Sequence, residues 1–318
     1  MNLNKSEVIL SIYNLCKSYN GIKSVRNLSF DINKREVFGF IGPNGAGKTT
    51  TINMICGLIT ADDGDIFING LSIRKNPKEA RSFIGMCPQN VVIWKDLTCI
   101  EQIEFMGTMY DVPAKESRKR GIELLDVMGL IEKKDKRGKT LSGGMQRRLN
   151  LILALIHDPQ ILILDEPEAG LDPQSRVLVR DYIKTLARQK TIILTTHNMD
   201  EAERMADRVA IIDRGKLLVV NTPDKLKSSV GEGDVLEIRT SDINAEILVK
   251  VKKLLLSKAN SVTFSEGLFR ITSKNVFQNI TSITNILSSN QITIEDFRVR
   301  KKTLEDVFIS LTGKGLRE

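Results

Sequence analysis

A glycine-rich run, GPNGAGKT, occupies residues 42–49 and lies between a predicted buried strand and a predicted helix. The segment before it, REVFGFIG, is apolar and β-rich, and the segment after it, KTTTINMICG, has a helical pattern that Gly57 can end. Gly42, Gly45 and Gly47 permit a tight wrap that aims backbone N–H groups at phosphate oxygens. This order of strand, loop and helix predicts a phosphate-binding loop within an α/β core.

Residues in this loop and in a later strand supply the groups that phosphoryl transfer requires. Lys48 offers a cation for the β- and γ-phosphates, and the Thr49 hydroxyl is placed to bind Mg²⁺. Asp165 ends the apolar strand ILILDEP and can hold Mg²⁺ through water. Glu166 comes next, so its side chain points in another direction, toward the place of an attacking water. A DE pair alone could be structural, but behind such a loop the catalytic interpretation is favoured.

The two histidines receive different interpretations. His197 ends the apolar strand KTIILTTH, parallel to the strand of Glu166, and we interpret it as a contact for the γ-phosphate. His157, in IHDP, lies at the end of a predicted helix and is interpreted as a cap that interacts with the helix dipole. Gln89, in MCPQN, indicates little when it is considered singly.

A second glycine pair lies much later in the chain. The run LSGGMQRRLN places Gly143 and Gly144 after Ser142 and directly before an apolar helix pattern. The start of such a helix presents bare backbone N–H groups to an anion. The chain therefore carries two predicted anion sites, and these residues alone do not explain why one chain has both.

Composition narrows the class of protein. The 318 residues are 41% hydrophobic and 27% charged, which suits two soluble domains. The apolar runs are shorter than the ~20 residues of a membrane helix, and the start of the chain lacks signal-peptide features. We therefore expect a cytosolic chain unless something else holds it at a membrane.

The four cysteines form no CxxC pair, which favours reduced thiols over zinc or disulfides. The net charge of +8 is scattered and aromatic residues are only 5%, so no nucleic-acid partner is expected.

The patterns divide the chain into two predicted domains. Residues 8–225 alternate β-rich runs with helical patterns and contain hairpin turns at Asn69-Gly70 and Arg214-Gly215. Residues 90–158 are mostly helical, which predicts a helical subdomain inserted into the α/β core. The segment NTPDKLKSSVGEGD is predicted to be a linker.

Residues 234–318 are predicted to form a small α+β domain. Their elements follow the order β-α-β-β-α-β, which is the ferredoxin-like arrangement. A last helix, TLEDVFISLTG, is predicted to place Leu304, Val307, Phe308 and Leu311 on one face and to stop at Gly313. No constellation of catalytic residues occurs in this part of the sequence, so an accessory or regulatory role is expected.

These motifs, in this order and at this spacing, resemble those of the ATP-binding-cassette (ABC) ATPases. Residues 42–50 match the Walker A loop, ILILDEP matches Walker B, and LSGGMQ matches the signature that separates this family from other P-loop proteins. The resemblance implies ATP and Mg²⁺ as ligands. The ATP-binding residues that it implies are Tyr19, Gly42, Pro43, Asn44, Gly45, Ala46, Gly47, Lys48, Thr49, Thr50, Gln89, Ser142, Gly143, Gly144 and Asp172.

The resemblance also implies a role for single residues. Tyr19 would stack on adenine, Gln89 would touch Mg²⁺ and sense the transport partner, and Asp172, in AGLDP, would lie in the loop that crosses to a second cassette. The implied metal-binding residues are Thr49, Gln89 and Asp165. The implied catalytic residues are Glu166, His197 and Lys48.

The family's architecture would explain the two anion sites. The implied fold is an α/β P-loop NTPase (RecA-like) core with an antiparallel β subdomain and an inserted helical subdomain. Two cassettes, either two copies of this chain or this chain and a paralogue, would pack head to tail with each ATP between one Walker A loop and the other signature. The ending TLEDVFISLTG is similar to the tail of daunorubicin-resistance export ATPases. That similarity implies a separate integral membrane permease and a location at the cytoplasmic face of the cell membrane.

Two alternative functions remain to be considered, and the roles of two single residues are undecided from the sequence. A soluble ABC ATPase acting on nucleic acid or ribosomes usually has two cassettes or a long coiled-coil insertion, and neither occurs here. A non-catalytic, degenerate cassette is disfavoured by the intact Glu166, Lys48 and His197. Trp94 either faces the permease or packs in the core. Glu168 replaces the small or hydroxyl residue that usually follows the Walker B proline, and the sequence gives no account of it.

Overall fold

The computed structural model describes residues 7–230, 233–241, 243–274 and 276–313. The chain divides into two compact units whose boundary lies between Thr222 and Pro223. Within the described ranges, no helix combines the length and the apolar content that a bilayer-spanning segment needs. Residues 231–232 of the predicted linker and 314–318 of the predicted C-terminal domain lie outside the described residues.

The first unit contains two sheets. Its strands are β1 (Val8–Tyr19), β2 (Ile22–Asn33), β3 (Val37–Ile41), β4 (Asp63–Ile68), β5 (Leu71–Ser72), β6 (Ile84–Cys87), β7 (Ile161–Asp165), β8 (Thr191–Thr196), β9 (Arg208–Asp213) and β10 (Lys216–Asn221). One sheet is antiparallel, with the order β2-β1-β4-β5. The other has the order β10-β9-β3-β8-β7-β6, in which β10 is antiparallel to β9 and the remaining neighbours are parallel. The predicted α/β core with an antiparallel β subdomain is confirmed.

Strands β3, β7 and β8 lie in the middle of the parallel sheet because they are apolar runs that can be buried on both faces. Every residue of these three strands is buried. The register pairs Ile41 with Thr196 and Asp165 with Thr195, so the carboxyl ends of the three strands are level at one edge. The predicted functional residues at and after the ends of these strands therefore lie next to one another at this edge of the sheet.

The described residues of the first unit form seven α-helices. They are α1 (Lys48–Ile55), α2 (Pro77–Ser82), α3 (Cys99–Met109), α4 (Ala114–Val127), α5 (Gly143–Leu153), α6 (Pro173–Ala187) and α7 (Met199–Met205). Helices α3, α4 and α5 follow β6 and precede β7, so the predicted helical insertion is present. Their apolar faces bury Ile103, Leu125 and Leu149 in a shared core. The predicted hairpin turns are also present, since Asn69-Gly70 and Arg214-Gly215 all have positive φ, as a type I′ turn requires.

The second unit contains a four-stranded sheet. Its elements are α8 (Pro223–Ser229), β11 (Asp234–Thr240), α9 (Ala245–Leu255), β12 (Ser261–Ser265), β13 (Leu268–Ser273), α10 (Val276–Ser289), β14 (Ile294–Arg300) and α11 (Leu304–Thr312). The strand order is β12-β13-β11-β14, and all neighbours are antiparallel. Helices α9 and α10 contribute Val251 and Ile283 to a core that also contains Leu236 and Phe269 of the sheet.

One sequence prediction for this region is wrong. The predicted linker contains helix α8, because Pro223 is tolerated at the first helical position and the side chain of Leu226 is only 1% exposed, which anchors the helix. Leu311 is 46% exposed in the last turn of α11, whereas Leu304 and Val307 are buried as expected. Gly313 has φ 68 and ends α11 as predicted.

Candidate functional site

The loops at the carboxyl edge of the parallel sheet enclose a polar cavity of about 230 Å³. The residues that line it are Ser24, Asn44, Gly45, Ala46, Gly47, Lys48, Thr49, Thr50, Gln89, Asp165, Glu166 and His197. The structure thus brings together the predicted phosphate loop, the predicted metal-binding residues and the predicted catalytic residues, although they come from four separate parts of the sequence.

Two glycines of the loop are required by its geometry. Gly47 has φ 102, and a Cβ atom there would lie 2.5 Å from the carbonyl oxygen of Ser24. A Cβ atom on Gly42 would lie 2.3 Å from the carbonyl oxygen of Ile212. Only glycine permits both approaches. Helix α1 then begins at Lys48 without a side-chain cap, which leaves its first N–H groups available to an anion.

Lys48 lies buried beside the loop and is only 7% exposed. Its Nζ donates hydrogen bonds to the carbonyl oxygens of Gly42 at 2.7 Å and of Pro43 at 3.2 Å. Burial lowers the pKa of Lys48, while the nearby carboxylates of Glu166 and Asp165 act in the opposite direction. An ammonium group has three donors, so one remains for a ligand in the cavity.

The carboxylates of Asp165 and Glu166 both line the cavity. The Thr195 hydroxyl donates a short hydrogen bond to Asp165 Oδ1, and the Glu166 N–H donates to the Thr195 carbonyl at 3.0 Å. Glu166 has φ 50, which is uncommon for a residue other than glycine. The chain therefore turns sharply after β7, and the two successive side chains do not alternate across the sheet as they would in a continuing strand.

Glu166 joins two predicted site residues. Its Oε1 lies 2.6 Å from His197 Nδ1, and its Oε2 accepts a hydrogen bond from Gln89 Nε2 at 3.0 Å. The residue is 8% exposed, so these contacts hold the carboxylate in one orientation at the cavity wall. A carboxylate fixed in this way can accept a proton from a polar group in the cavity.

The cavity offers oxygen atoms that suit a hard cation. The Thr49 hydroxyl, the Asp165 carboxylate and the Gln89 amide oxygen belong to lining residues. Among the described residues, no group of three or more His, Cys, Asp or Glu side chains is placed to hold a metal ion. A sparse set of oxygen donors fits Mg²⁺, which keeps several waters and takes phosphate oxygens as ligands. The four cysteines are free thiols, as predicted.

Several predicted ATP-binding residues do not line the cavity. Gly42 and Pro43 contribute through their carbonyl contacts with Lys48. Tyr19 is 47% exposed at the end of β1, and the Lys17 Nζ lies 5.6 Å from its ring centre. An exposed ring flanked by a cation leaves a face on which a planar group can stack.

The remaining predicted residues form a separate surface. Ser142 caps α5, because its Oγ accepts a hydrogen bond from the first helical turn at 3.3 Å, and both Ser142 and Gly143 are exposed. Asp172 caps α6, and its Oδ2 lies 3.5 Å from the Cβ position built on Gly144. The second predicted anion site therefore adjoins Asp172 and not the cavity.

Glu168 faces away from the cavity. Its two carboxylate oxygens accept hydrogen bonds from Arg180 of α6 at 2.7 and 2.6 Å, and the residue is 7% exposed. The acidic residue at this position is therefore one half of a buried ion pair with α6.

The helix-cap interpretation of His157 is wrong. Helix α5 ends at Leu153, and His157 Nε2 lies 2.9 Å from the Ile84 carbonyl oxygen, to which it can donate. The imidazole also stacks on the Tyr110 ring at 3.7 Å. Burial lowers the pKa of His157, so it is a neutral hydrogen-bonding group and not a cation at a helix end.

The buried carboxyl group of Glu201 leads to a prediction of how the free energy of unfolding depends on pH. Burial raises its pKa to about 7 from an ordinary value of 4.5, although the Thr196 hydroxyl donates to its Oε2 at 2.6 Å. Between pH 4.5 and about 7 the folded state holds a proton that the unfolded chain has lost, so the free energy of unfolding falls as pH rises through this range. We expect Glu201→Gln to remove this fall and to be more stable than the wild type at pH 8, by on the order of 3 kcal/mol.

The measurement is urea denaturation of both proteins at pH 5 and pH 8. The two should have similar stabilities at pH 5, where Glu201 is protonated in the folded protein. A wild-type excess of stability at pH 8 would contradict the buried, proton-holding state of this carboxyl group.

Two residues with a place in the site were not predicted. Ser24 lines the cavity, and its Oγ lies 3.0 Å from the Thr50 hydroxyl. It comes from β2 of the antiparallel sheet, and no local pattern marks it. Arg147 donates hydrogen bonds to the backbone carbonyls of the cavity residues Gln89 and Glu166 and of the residue before each of them. Its position within the signature helix was a signal, but its contacts depend on the tertiary structure.

Comparison with known proteins gives consistent matches. The ABC transporter family profile matches residues 25–169. The chain is 37% identical to the linearmycin resistance ATP-binding protein LnrL of Bacillus subtilis, over 98% of this chain and 100% of that protein. It is 34% identical to the daunorubicin/doxorubicin resistance ATP-binding protein DrrA of Streptomyces peucetius, over 94% and 91%. Among solved structures, a dimeric post-hydrolysis state of the ATP-binding cassette MJ0796 bound to ADP and Pi is 25% identical, with a TM-score of 0.62 over 67% of this chain and 98% of that chain.

Proposed function

Because the chain belongs to the ABC transporter family as an ATP-hydrolysing subunit, we propose that it drives export through a separate membrane permease by ATP-dependent dimerisation. The observation that carries the proposal is the separation of two anion sites. The exposed start of α5 at Ser142 does not line the cavity that contains Lys48. In a head-to-tail pair, the cavity of one chain faces the start of α5 of the other, and the charge of each ATP is neutralised from both sides.

ATP occupies the cavity through its phosphates in this proposal. Backbone N–H groups within residues 44–50 and the Lys48 ammonium group hold the phosphate oxygens. The exposed ring of Tyr19 stacks on the adenine base. The partner chain supplies Ser142, Gly143 and Gly144 toward the γ-phosphate, and Asp172 lies at the same junction. The solved dimer of a similar cassette supports a two-chain arrangement.

Thr49, Asp165 and Gln89 hold Mg²⁺ in this proposal. When bound, the ion neutralises charge on the phosphate oxygens. Glu166 accepts the proton of the attacking water, and its contacts with His197 and Gln89 keep it oriented for that purpose. His197 also reaches the γ-phosphate. Lys48 stabilises the charge that spreads over the transferred phosphoryl group.

The proposal is tested by the dependence of turnover on protein concentration. ATP turnover per chain should rise with concentration, because a complete site needs two chains. Ser142→Ala should lower the maximal rate by about 10–100-fold, since a hydrogen bond to a charged phosphate is lost, and should leave ATP affinity nearly unchanged. Steady-state rates over a range of concentrations and equilibrium ATP binding measure the two effects.

Thr98→Ala is the matched control for this variant. Thr98 caps α3 as Ser142 caps α5, so both changes remove a helix cap worth about 1 kcal/mol. Only the Ser142 change should impair hydrolysis. Turnover per chain that stays constant on dilution to a monomer would contradict the dimeric site.

Exposed residues and the relatives support the proposed permease and the proposed location. Trp94 is 38% exposed and packs edge-to-face on Phe105, which is 42% exposed, with ring centres 4.9 Å apart. Val92 nearby in the sequence is 60% exposed. Exposed apolar residues of this kind suit a protein partner. The resistance relatives support an exporter, so we place the chain at the cytoplasmic face of the cell membrane, bound to a permease.

We assign residues 8–225 to the ATP-binding domain and residues 234–318 to an accessory or regulatory domain. The strand order and the two covering helices of the second unit support a ferredoxin-like fold for that domain. A role in stabilising or regulating the dimer fits a domain none of whose described residues lines the cavity.

A further inference from the structure

Arg147 lies in helix α5, close behind the signature residues, and is only 4% exposed. Its guanidinium group forms a fork between two backbone segments. Nη1 donates to the Pro88 carbonyl oxygen at 2.7 Å and, by a shorter contact, to that of Gln89. Nη2 donates to the carbonyl oxygens of Asp165 at 2.8 Å and Glu166 at 2.6 Å.

These four carbonyl groups belong to the backbone that carries the site. One pair ends at Gln89, and the other consists of Asp165 and Glu166, so the main chain of these three cavity-lining residues is fixed. Within the described part of the chain, the hydrogen-bond partners of Arg147 are all backbone carbonyls, and its Nε has none. A buried cation is costly unless several oriented groups compensate it. The carbonyl groups therefore compensate the buried guanidinium charge only while both backbone segments keep these positions.

We propose that Arg147 is a positioning residue that fixes Glu166 and Gln89 relative to the signature helix. It does not line the cavity, so it acts through these groups and not on the nucleotide. The inference rests on the proposed function, in which Glu166 is the general base and α5 serves the ATP of the partner chain. Arg147 then links the helix that contacts one ATP to the catalytic groups that act on the other.

The planar fork explains why arginine is required. Each Nη atom carries two N–H donors and serves two successive carbonyls of one segment, whereas the lysine ammonium group is a single point charge. Arg147→Lys keeps the charge but cannot span both segments. We therefore expect Arg147→Lys and Arg147→Met to misplace the Glu166 carboxylate while leaving the phosphate loop intact.

The first measurement is steady-state hydrolysis and equilibrium ATP binding by the full-length protein. Arg147→Met should lower kcat by about 10–100-fold, the usual loss when a group that orients an active-site residue is removed, with little change in the dissociation constant of ATP. Arg147→Lys should fold and still lose at least about fivefold in kcat, because only one carbonyl pair is restored. Full kcat in a folded Arg147→Lys protein would overturn the proposal, even where Arg147→Met fails to fold.

Arg148→Met is the matched control. Arg148 is the next residue of α5 and also has a buried Nε without a partner, but its Nη1 donates at 2.9 Å to Met128 in the helical insertion. This variant should lower the thermal unfolding temperature without a comparable loss of kcat. An equal loss of kcat in both variants would show that Arg147 acts through general stability alone.

A double-mutant cycle with Glu166→Gln separates this inference from the proposed function. If Arg147 acts by orienting Glu166, Arg147→Met should have little further effect in single-turnover hydrolysis once the carboxylate is absent. An undiminished effect in that background would refute the positioning role. Normal turnover by Glu166→Gln itself would instead refute the proposed general base.

Discussion

Glu166→Gln is expected to lower kcat for ATP hydrolysis by about 10²–10⁴-fold while the dissociation constant of ATP stays roughly unchanged. The amide has nearly the shape of the carboxylate and can keep one hydrogen bond each toward His197 and Gln89, but it cannot accept the proton of an attacking water. Because Lys48 and the phosphate loop are intact in this variant, ATP should still bind. Pre-steady-state hydrolysis and equilibrium binding measure the two quantities.

Glu168→Gln is the control for this change. Glu168 is as buried as Glu166 and lies two positions later, but its carboxylate pairs with Arg180 and does not line the cavity. Breaking that pair should reduce stability and leave kcat close to the wild-type value. If both variants lost turnover equally, the loss would come from the fold around β7 and not from the chemistry of Glu166.

Lys48→Met is expected to weaken ATP binding by at least about 10²-fold and to abolish measurable turnover. The side chain is buried, so a methionine of similar length fits the space without the charge. In this variant the carboxylates of Asp165 and Glu166 face the triphosphate without the buried Lys48 ammonium group. Repulsion between these carboxylates and the phosphates then opposes binding. Calorimetric titration with ATP measures the affinity directly.

Lys190→Met provides a comparable lysine outside the cavity. Lys190 is partly buried and donates to the Pro159 carbonyl at 2.8 Å and to Asp158 at 2.5 Å, so its removal also breaks a carbonyl contact and an ion pair. ATP affinity should be unchanged in this variant. Retention of wild-type affinity by Lys48→Met would show that the backbone N–H groups alone hold the phosphates.

Local sequence was sufficient for the elements that carry the site. Strands β3, β7 and β8 are near-continuous apolar runs, and β7 and β8 end at the polar residues Asp165 and Thr196, so both their parallel arrangement and the edge that carries function were predictable. The phosphate loop was predictable because only glycine fits the close approaches of Gly42 and Gly47. The prediction of a linker at Pro223–Ser229 failed because one buried leucine, Leu226, is too weak a signal against the surrounding serine, glycine and aspartate residues.

The sequence by itself determined which residue types could bind phosphate and accept a proton, because those capacities depend on side-chain chemistry and on short-range backbone constraints. Only the tertiary structure decided which of these residues contact one another. It brought Gln89, Glu166 and His197 together from three separate segments, paired Glu168 with Arg180, and directed the Arg147 guanidinium group at the backbone carbonyls of Gln89 and Glu166. These contacts join residues that are distant in the chain, and their geometry is set by the register of the sheet and the packing of α5 and α6, which no local pattern encodes.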